Sequence, residues 1–339
     1  MELTLVNSIE EWKGLEEAWD ELVSRSVRPY PFLEFWYLYN WWQTLGGGEW
    51  LSSESQLCIV TGFERGKLKG IAPLFVSSKE GSPPALRFIG QIEVTDYLDF
   101  IAAEEDLPAF LTALLDFLDE NEAIPVKNLE LANLLDDSPS LRILEQAAEQ
   151  RQHRFKQTVL QPAPAITLTD SWDEYLQSLN KKQRHEVRRK LRNAERDFQI
   201  ELYLVENAAE VIDEIRIFVE LMRNEEEKKH FLSGETEQYL LSLGKAAFEK
   251  NRFNLAFLLL DGQKVAGYLN FIAQNRLWVY NTGWNPDFSK YSPGWLLLSK
   301  LIQWSIDQGL QEVDLMRGAE DYKYRFGGID RHVVAVQCS

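Results

Sequence analysis

Three short stretches of the sequence carry residue types that can do chemistry. The first is Tyr291-Ser292-Pro293-Gly294-Trp295. Serine is a favoured helix N-cap, proline suits the first helical position, and glycine in the first turn adds no side chain over the open N–H groups. Those N–H groups lie at the positive end of the helix dipole, so such a start can hold a phosphate. It can equally be a plain helix start where Gly294 lets another backbone approach. The second stretch runs from Val313-Asp314-Leu315 through Arg317-Gly318 to Asp321-Tyr322-Lys323-Tyr324. Here a strand ends in a densely polar short helix, and strand ends that diverge from their neighbours are where ligands bind. An ion-paired surface turn with two half-buried tyrosines is the structural alternative. The third stretch holds seven cations within Lys181 to Arg192, of which Arg184, Arg188 and Arg192 share a helical face. They either pair with an acidic body or recognise a polyanion: the phosphates of CoA, an aminoacyl-tRNA, or a nucleotide-linked acceptor.

Other chemistries find no support. The four histidines, His153, His185, His230 and His332, have no second His or Cys at ligand spacing, which predicts no metal site. There is no Gly-x-Ser-x-Gly, no Walker lysine loop and no Gly-x-Gly-x-x-Gly, and Gly46-Gly47-Gly48 follows a helix rather than a strand. Two cysteines, Cys58 and Cys338, form no disulfide framework and point to a reducing compartment. The net charge of −17 opposes nucleic acid and anionic membrane except where cations cluster, and without a groove-reading motif no sequence-specific nucleic-acid binding is expected. Residues Met1 to Glu11 lack a basic, apolar leader, and no apolar run approaches the ~18 residues that span a bilayer. The expectation is a cytoplasmic protein without a transmembrane segment.

The elements that position these stretches alternate. At 339 residues, with 45% hydrophobic residues and 11 tryptophans, the chain is long enough for about two domains. Helical spacing of Ile9, Trp12, Leu15, Trp19 and Leu22 predicts one helix after a Ser8–Glu11 capping box, and a second follows Pro31. A hairpin turns at Arg65-Gly66-Lys67, a helix covers Leu107 to Leu118, and a strand covers Val126 to Leu131. Past Gln161-Pro162-Ala163-Pro164 come helices over Trp172 to Leu179 and Lys181 to Asp197, a strand at Gln199 to Val205, and helices over Ala208 to Glu226 and Thr236 to Asn251. Then come a hairpin at Asp261-Gly262-Gln263, a strand at Leu277 to Tyr280, a helix from Pro293, a strand at Glu312 to Leu315 and a last strand at His332 to Gln337.

A weak internal repeat links the halves. The strand–turn–strand ending in Leu68-Lys69-Gly70-Ile71-Ala72 matches the one ending in Lys264-Val265-Ala266-Gly267-Tyr268. Each is followed by a strand, a helix and a short apolar strand. The two helix starts differ. The first, Glu104-Glu105-Asp106-Leu107-Pro108, is filled with acids expected to satisfy its own N–H groups and repel phosphate, whereas the second is open. This predicts one active and one structural copy, at residues 1–160 and 165–339, with a helical insertion near 171–251.

The second and third stretches join others in a recognisable order: Phe32 to Trp42, Gly70-Ile71-Ala72-Pro73-Leu74, Arg87-Phe88-Ile89-Gly90 with Asp96-Tyr97-Leu98-Asp99, Trp172-Asp173-Glu174-Tyr175-Leu176, Arg184 to Arg192, Val265-Ala266-Gly267 and Ser292-Pro293-Gly294. With them the final third resembles the GCN5-related N-acetyltransferase (GNAT) fold. Most of the chain resembles its duplicated FemAB-like branch, in particular the BioF2-like family that includes cellulose-biosynthesis-associated acyltransferases. The resemblance implies an α/β protein of two tandem acetyltransferase-like halves, with mixed, mainly antiparallel sheets flanked by helices. It implies N- or O-acyl transfer from acetyl-CoA or another acyl-CoA to a small-molecule or glycan-precursor acceptor, as in envelope or exopolysaccharide synthesis. The donor would lie on Tyr291, Ser292, Pro293, Gly294 and Trp295, with Asn281, Arg317 and Lys323 nearby. Tyr322, with Tyr324 in reserve, would protonate the leaving thiolate. Asp314, Asp96 or Asp99 would take the acceptor's proton, the last two being equally suited to capping a loop. An aminoacyl-tRNA-dependent FemAB-type peptidyl transferase and a non-catalytic partner in polysaccharide assembly are the alternative readings.

Overall fold

A computed structural model describes residues 1–47, 55–78, 83–91, 93–124, 126–225, 228–229, 232 and 234–339. Gly48, Glu226 and His230 lie outside them. The chain forms two compact units, one comprising Met1–Pro162 with Arg331–Ser339, the other Ala163–Asp330.

In the first unit, β1 (Glu2–Val6), β3 (Ile59–Glu64), β4 (Lys67–Ala72) and β7 (Ile101–Ala102) form one sheet in that order. A second sheet runs β2 (Gln56–Leu57), β5 (Leu74–Ser77), β6 (Ala85–Phe88), β8 (Leu129–Leu135), β16 (His332–Cys338), β9 (Phe155–Pro162). The β3–β4 turn places Arg65 and Gly66 at φ 50° and 76°, the left-handed pair that suits the twist of a tight hairpin. Pro73 has no N–H to give a ladder, and at that point the chain changes sheets: β4 pairs with β3, β5 with β6. The tryptophan-rich N-terminal segment packs as an aromatic cluster, with Trp12 and Trp19 rings 5.9 Å apart and Phe35 stacked on Tyr39. The segment expected as one helix is two, Ile9–Lys13 and Glu16–Ser24, because Gly14 ends the first and supplies no side chain to continue it.

The second unit is one sheet in the order β10 (Ala165–Thr167), β15 (Glu312–Asp314), β14 (Arg276–Trp284), β13 (Gln263–Ala273), β12 (Phe253–Leu260), β11 (Ile200–Leu204). All pairs are antiparallel except β14 with β15. Its β12–β13 turn repeats the conformation of the first unit, with Asp261 and Gly262 at φ 48° and 81°. The order β11-β12-β13-β14-β15 matches β1-β3-β4/β5-β6-β8, and β6 pairs with β8 in parallel just as β14 does with β15. The duplication legible in the hairpins therefore extends through the sheets. The strand expected at Gln199 to Val205, within the segment read as a helical insertion, is β11 at the sheet edge.

The last strand departs from the sequence-based division at 160/165. His332–Cys338 pairs antiparallel with β8 on one side and β9 on the other, inside the first unit. Strand pairing depends on non-local partners, which an apolar run such as Val333-Val334-Ala335-Val336 does not name.

Helices cover both faces of the second sheet. Side chains alternate along β13, so Gly267 meets Phe218 of the Val211–Met222 helix while Tyr268 points to the start of the Pro293–Asp307 helix. Gly283 on β14 is required by the first of these helices. A Cβ there would sit 2.5 Å from the Met222 nitrogen and 2.7 Å from the Leu221 carbonyl carbon. Because backbone rather than a flexible side chain stands in the way, Gly283→Ala is expected to cost about 1–3 kcal/mol. A lowered denaturation midpoint with unchanged slope checks this.

Candidate active site

The Pro293–Asp307 helix begins without the cap its sequence suggests. Ser292 is also the last residue of the 3₁₀ turn Pro286–Tyr291, which holds it at φ 54°, and its side chain caps no helix N–H. Instead its Oγ accepts a hydrogen bond from Lys190 Nζ at 3.2 Å. Pro293 has no N–H, and the helical ladder opens with Leu296 N–H donating to Ser292 O at 3.1 Å. The N–H groups of Gly294 and Trp295 have no partner among the described residues. A Cβ added to Gly294 would have one neighbour within 4 Å, the Tyr268 hydroxyl at 3.9 Å.

These groups border a cleft of about 300 Å³. Its walls are Ser292, Pro293, Gly294 and Trp295 at the helix start, Ser289 beside them, Thr282, Gly283 and Trp284 of β14, Tyr268 of β13, Tyr322 and Glu225. The sheet makes this space by splaying. β14 and β15 pair only from Arg276/Glu312 to Trp278/Asp314, after which β14 runs on alone. On its other edge the pairing skips Tyr280, since Leu269 faces Asn281 and Asn270 faces Val279. Such a bulge turns the strand and re-aims the residues beyond it. β15 ends at Asp314, which is fully buried and accepts the N–H of Met316 at 2.8 Å, and Met316 adopts φ 60°.

Tyr322 is fixed from three sides. Its short helix Asp321–Arg325 is tied down by the Tyr175 hydroxyl donating to Phe326 O at 2.8 Å and by Gln183 Nε2 donating to Tyr324 O at 2.8 Å. Lys323, 2% exposed, donates to the carbonyls of Met316 and Arg317 at 3.1 and 2.6 Å and pairs with Glu320 at 3.0 Å. Burial pushes the Tyr322 phenol well above its ordinary range, and Glu320 and Glu225 add to this. Tyr268 is raised for the same first cause, then by Tyr322 and Glu225. Both therefore keep their protons at neutral pH, and neither hydroxyl has a hydrogen-bond partner among the described residues. The Trp295 indole N–H is buried and likewise unpartnered. Its ring meets Phe326 at 4.3 Å and lies 4.5 Å from Lys190 Nζ, whose pKa burial lowers.

The other residues singled out in the sequence stand elsewhere. Tyr291 packs its ring on Phe198 and donates to Asp197 at 3.1 Å, beside the helix start rather than in the cleft wall. Asn281 borders the bulge, its Oδ1 accepting the Thr282 N–H at 3.0 Å. Arg317 belongs to the loop after β15, and the Lys323 ammonium, from the short helix that follows, is consumed in holding that loop. Tyr324 is half-buried and raised by burial and by its bond to Asp330. Arg184 donates to the carbonyls of Leu176 and Gln177, while Arg188 and Arg192 are exposed; none of the three lines the cleft. The one cation of that helix to reach the site is Lys190.

Asp96 and Asp99 belong to the first unit. Asp99 is buried and bonded to the Ser138 hydroxyl and to the Phe100 N–H, so it holds the cap of the Pro139–Gln150 helix; burial raises its pKa. The acidic start of the first unit's Leu107–Glu120 helix is built differently from expectation. Asp106 makes no side-chain cap and instead pairs with Lys69 at 2.8 Å. Tyr268 and Glu225 escaped sequence reasoning, and Lys190 was counted in the cation cluster without being marked as the one that reaches the site. Only Tyr268 left a signal, a tyrosine directly after the repeated glycine, Gly267.

Residues 181–324 match the model of the GNAT-type acetyltransferase domain. Over its length the chain is similar in structure to FemX, with TM-score 0.69 at 13% identity, covering 99% of this chain and 97% of FemX. It is similar to a conserved protein of unknown function from Bacteroides thetaiotaomicron VPI-5482, with TM-score 0.65 at 12% identity, covering 99% of each chain. A tandem GNAT protein from the clavulanic acid biosynthesis pathway gives TM-score 0.50 at 10% identity, covering 99% of this chain and 98% of that one. No curated protein sequence matches the chain. Residues 181–324 of the second unit thus match a GNAT-type acetyltransferase domain, and the whole chain shares the fold of FemX.

Proposed function

We propose that the second unit transfers an acyl group from an acyl-CoA thioester to an amine or hydroxyl acceptor. One observation carries this reading: the unpartnered N–H groups of a helix start and a protonated, unpartnered Tyr322 hydroxyl border the same cleft. The helix start suits the donor's diphosphate. The splay between β14 and β15 suits the acyl chain. As the thioester C–S bond breaks, a hydroxyl that stays neutral at pH 7 is the right group to protonate the departing sulfur. The acceptor class implied by the family resemblance is a small molecule or glycan precursor of envelope or exopolysaccharide synthesis.

Thermal denaturation with each donor tests the reading. At about 100 times its dissociation constant a ligand adds about 2.7 kcal/mol, a clear rise in melting temperature. Acetyl-CoA is expected to give that rise. If neither acetyl-CoA nor aminoacyl-tRNA does so, the protein is a binding partner and not a transferase.

A second donor, aminoacyl-tRNA, is favoured by one feature. Arg188 and Arg192 are exposed on one helical face with no acidic partner among the described residues, in a chain of net charge −17. A field of that kind attracts a polyphosphate, and its effect fades with salt. Reversing both to glutamate should raise the apparent KM for a polyanionic donor and flatten its salt dependence while leaving kcat nearly unchanged. Unaltered constants at low ionic strength, where screening is weakest, would make the cluster structural.

A further inference from the structure

The cleft has opposite electrostatic ends. At the helix start the N–H groups favour an anion. Among the described lining residues the one ionisable carboxylate elsewhere in its wall is Glu225, and none is a lysine or arginine. Glu225 sits just beyond the Val211–Met222 helix, its N–H bonded to Met222 O at 3.1 Å. Gly283 is what allows it to arrive there, since any Cβ at that position would collide with the Leu221–Met222 backbone. Once there, Glu225 is oriented by Lys228. The Lys228 ammonium holds Glu225 Oε1 at 3.0 Å and is itself held by the Thr282 carbonyl at 2.6 Å and hydroxyl at 3.2 Å. Oε2 has no partner among the described residues. The remaining ionisable groups that face it are the Tyr268 and Tyr322 phenols, both of which feel its charge.

We infer that Glu225 is the catalytic base of this cleft, and that the acceptor it serves is a primary amine arriving as an ammonium ion. A carboxylate with one open oxygen, Oε2, in a cleft wall that holds no other described charge attracts a cation. It has no comparable preference for a neutral hydroxyl. The carboxylates proposed from sequence are committed elsewhere: Asp314 to Met316, Asp99 to Ser138 and Phe100.

In the transfer step, Glu225 takes one N–H proton from the ammonium. The freed lone pair forms the C–N bond to the donor's carbonyl carbon, and the C–S bond (C–O in an ester donor) breaks with its electron pair on the leaving atom. Tyr322 protonates that atom, and the second N–H proton, lost as the amide forms, returns to the tyrosinate. The net change is ammonium plus thioester giving amide, thiol and one proton, which Glu225 passes to water.

This inference rests on the cleft being an acyl-transfer site, and the experiment separates the two. Acetyl-CoA and an aminoacyl-tRNA pool are each offered with ethanolamine, 3-amino-1-propanol and 1,3-diaminopropane, and products are treated with hydroxylamine, which cleaves esters and spares amides. The wild-type protein is expected to form hydroxylamine-resistant products. Glu225→Gln should lower kcat by about 100-fold or more, as loss of a general base does, and abolish the rising acid limb of the kcat–pH profile. Donor affinity by calorimetry should hold, and Glu225→Asp should restore that limb in part. If Glu225→Gln stays within threefold of wild type with the same limb, or if ester products dominate, the inference falls while the transferase reading stands. A wild-type protein that transfers from neither donor overturns both.

Discussion

In Gly294→Asp, donor affinity falls by roughly 100-fold, about 2.7 kcal/mol, while the melting temperature holds or rises. The two effects separate because they act on different partners. An aspartate in a helix's first turn interacts favourably with the dipole, and a Cβ at Gly294 meets only the Tyr268 hydroxyl, at 3.9 Å, so the fold is expected to hold. The same carboxylate occupies the N–H groups of Gly294 and Trp295 and repels phosphate where the donor must sit. Calorimetric titration with acetyl-CoA checks the affinity, and a melting curve checks the fold. Unchanged affinity would place the donor elsewhere.

Tyr322→Phe is expected to lower kcat by roughly 10²–10⁴-fold with donor affinity retained. The substitution removes one oxygen and leaves the ring in place, and the ties on its helix run through the Phe326 and Tyr324 carbonyls and through Lys323, not through the hydroxyl. Tyr268→Phe is the comparison. It borders the same cleft, with its hydroxyl 3.9 Å from a Cβ placed on Gly294 at the helix start, so a smaller loss of kcat is expected there. A loss below threefold in Tyr322→Phe, with a large one in Tyr268→Phe, would transfer the acid's role to Tyr268.

The range of the forces involved decides how much the chain discloses before it folds. Local chemistry was legible: the hairpin turns at Arg65-Gly66 and Asp261-Gly262 and the start of a helix at Pro293. The function of a cap was not. Ser292 has the right residue type, but the preceding 3₁₀ turn sets its backbone and Lys190, about a hundred positions away in sequence, takes its hydroxyl. Lysine and arginine side chains were the least legible. Lys323 has the charge of a phosphate ligand yet is spent on the carbonyls of Met316 and Arg317, and Lys190 reaches the site while Arg184, Arg188 and Arg192 on the same helix do not. Their long stems let neighbours in sequence reach different partners. Glu225 depends on a contact between Gly283 and the end of a helix some 60 residues earlier, and no local pattern encodes that approach.

The most direct test of the donor site observes the two open N–H groups themselves. With ¹⁵N-labelled glycine and tryptophan, the backbone amide resonances of Gly294 and Trp295 are followed as acetyl-CoA or aminoacyl-tRNA is added. Both should shift saturably with the dissociation constant measured by calorimetry, and the Trp295 shift should vanish in Gly294→Asp. Donor that binds by calorimetry while both amides stay in place would contradict the account.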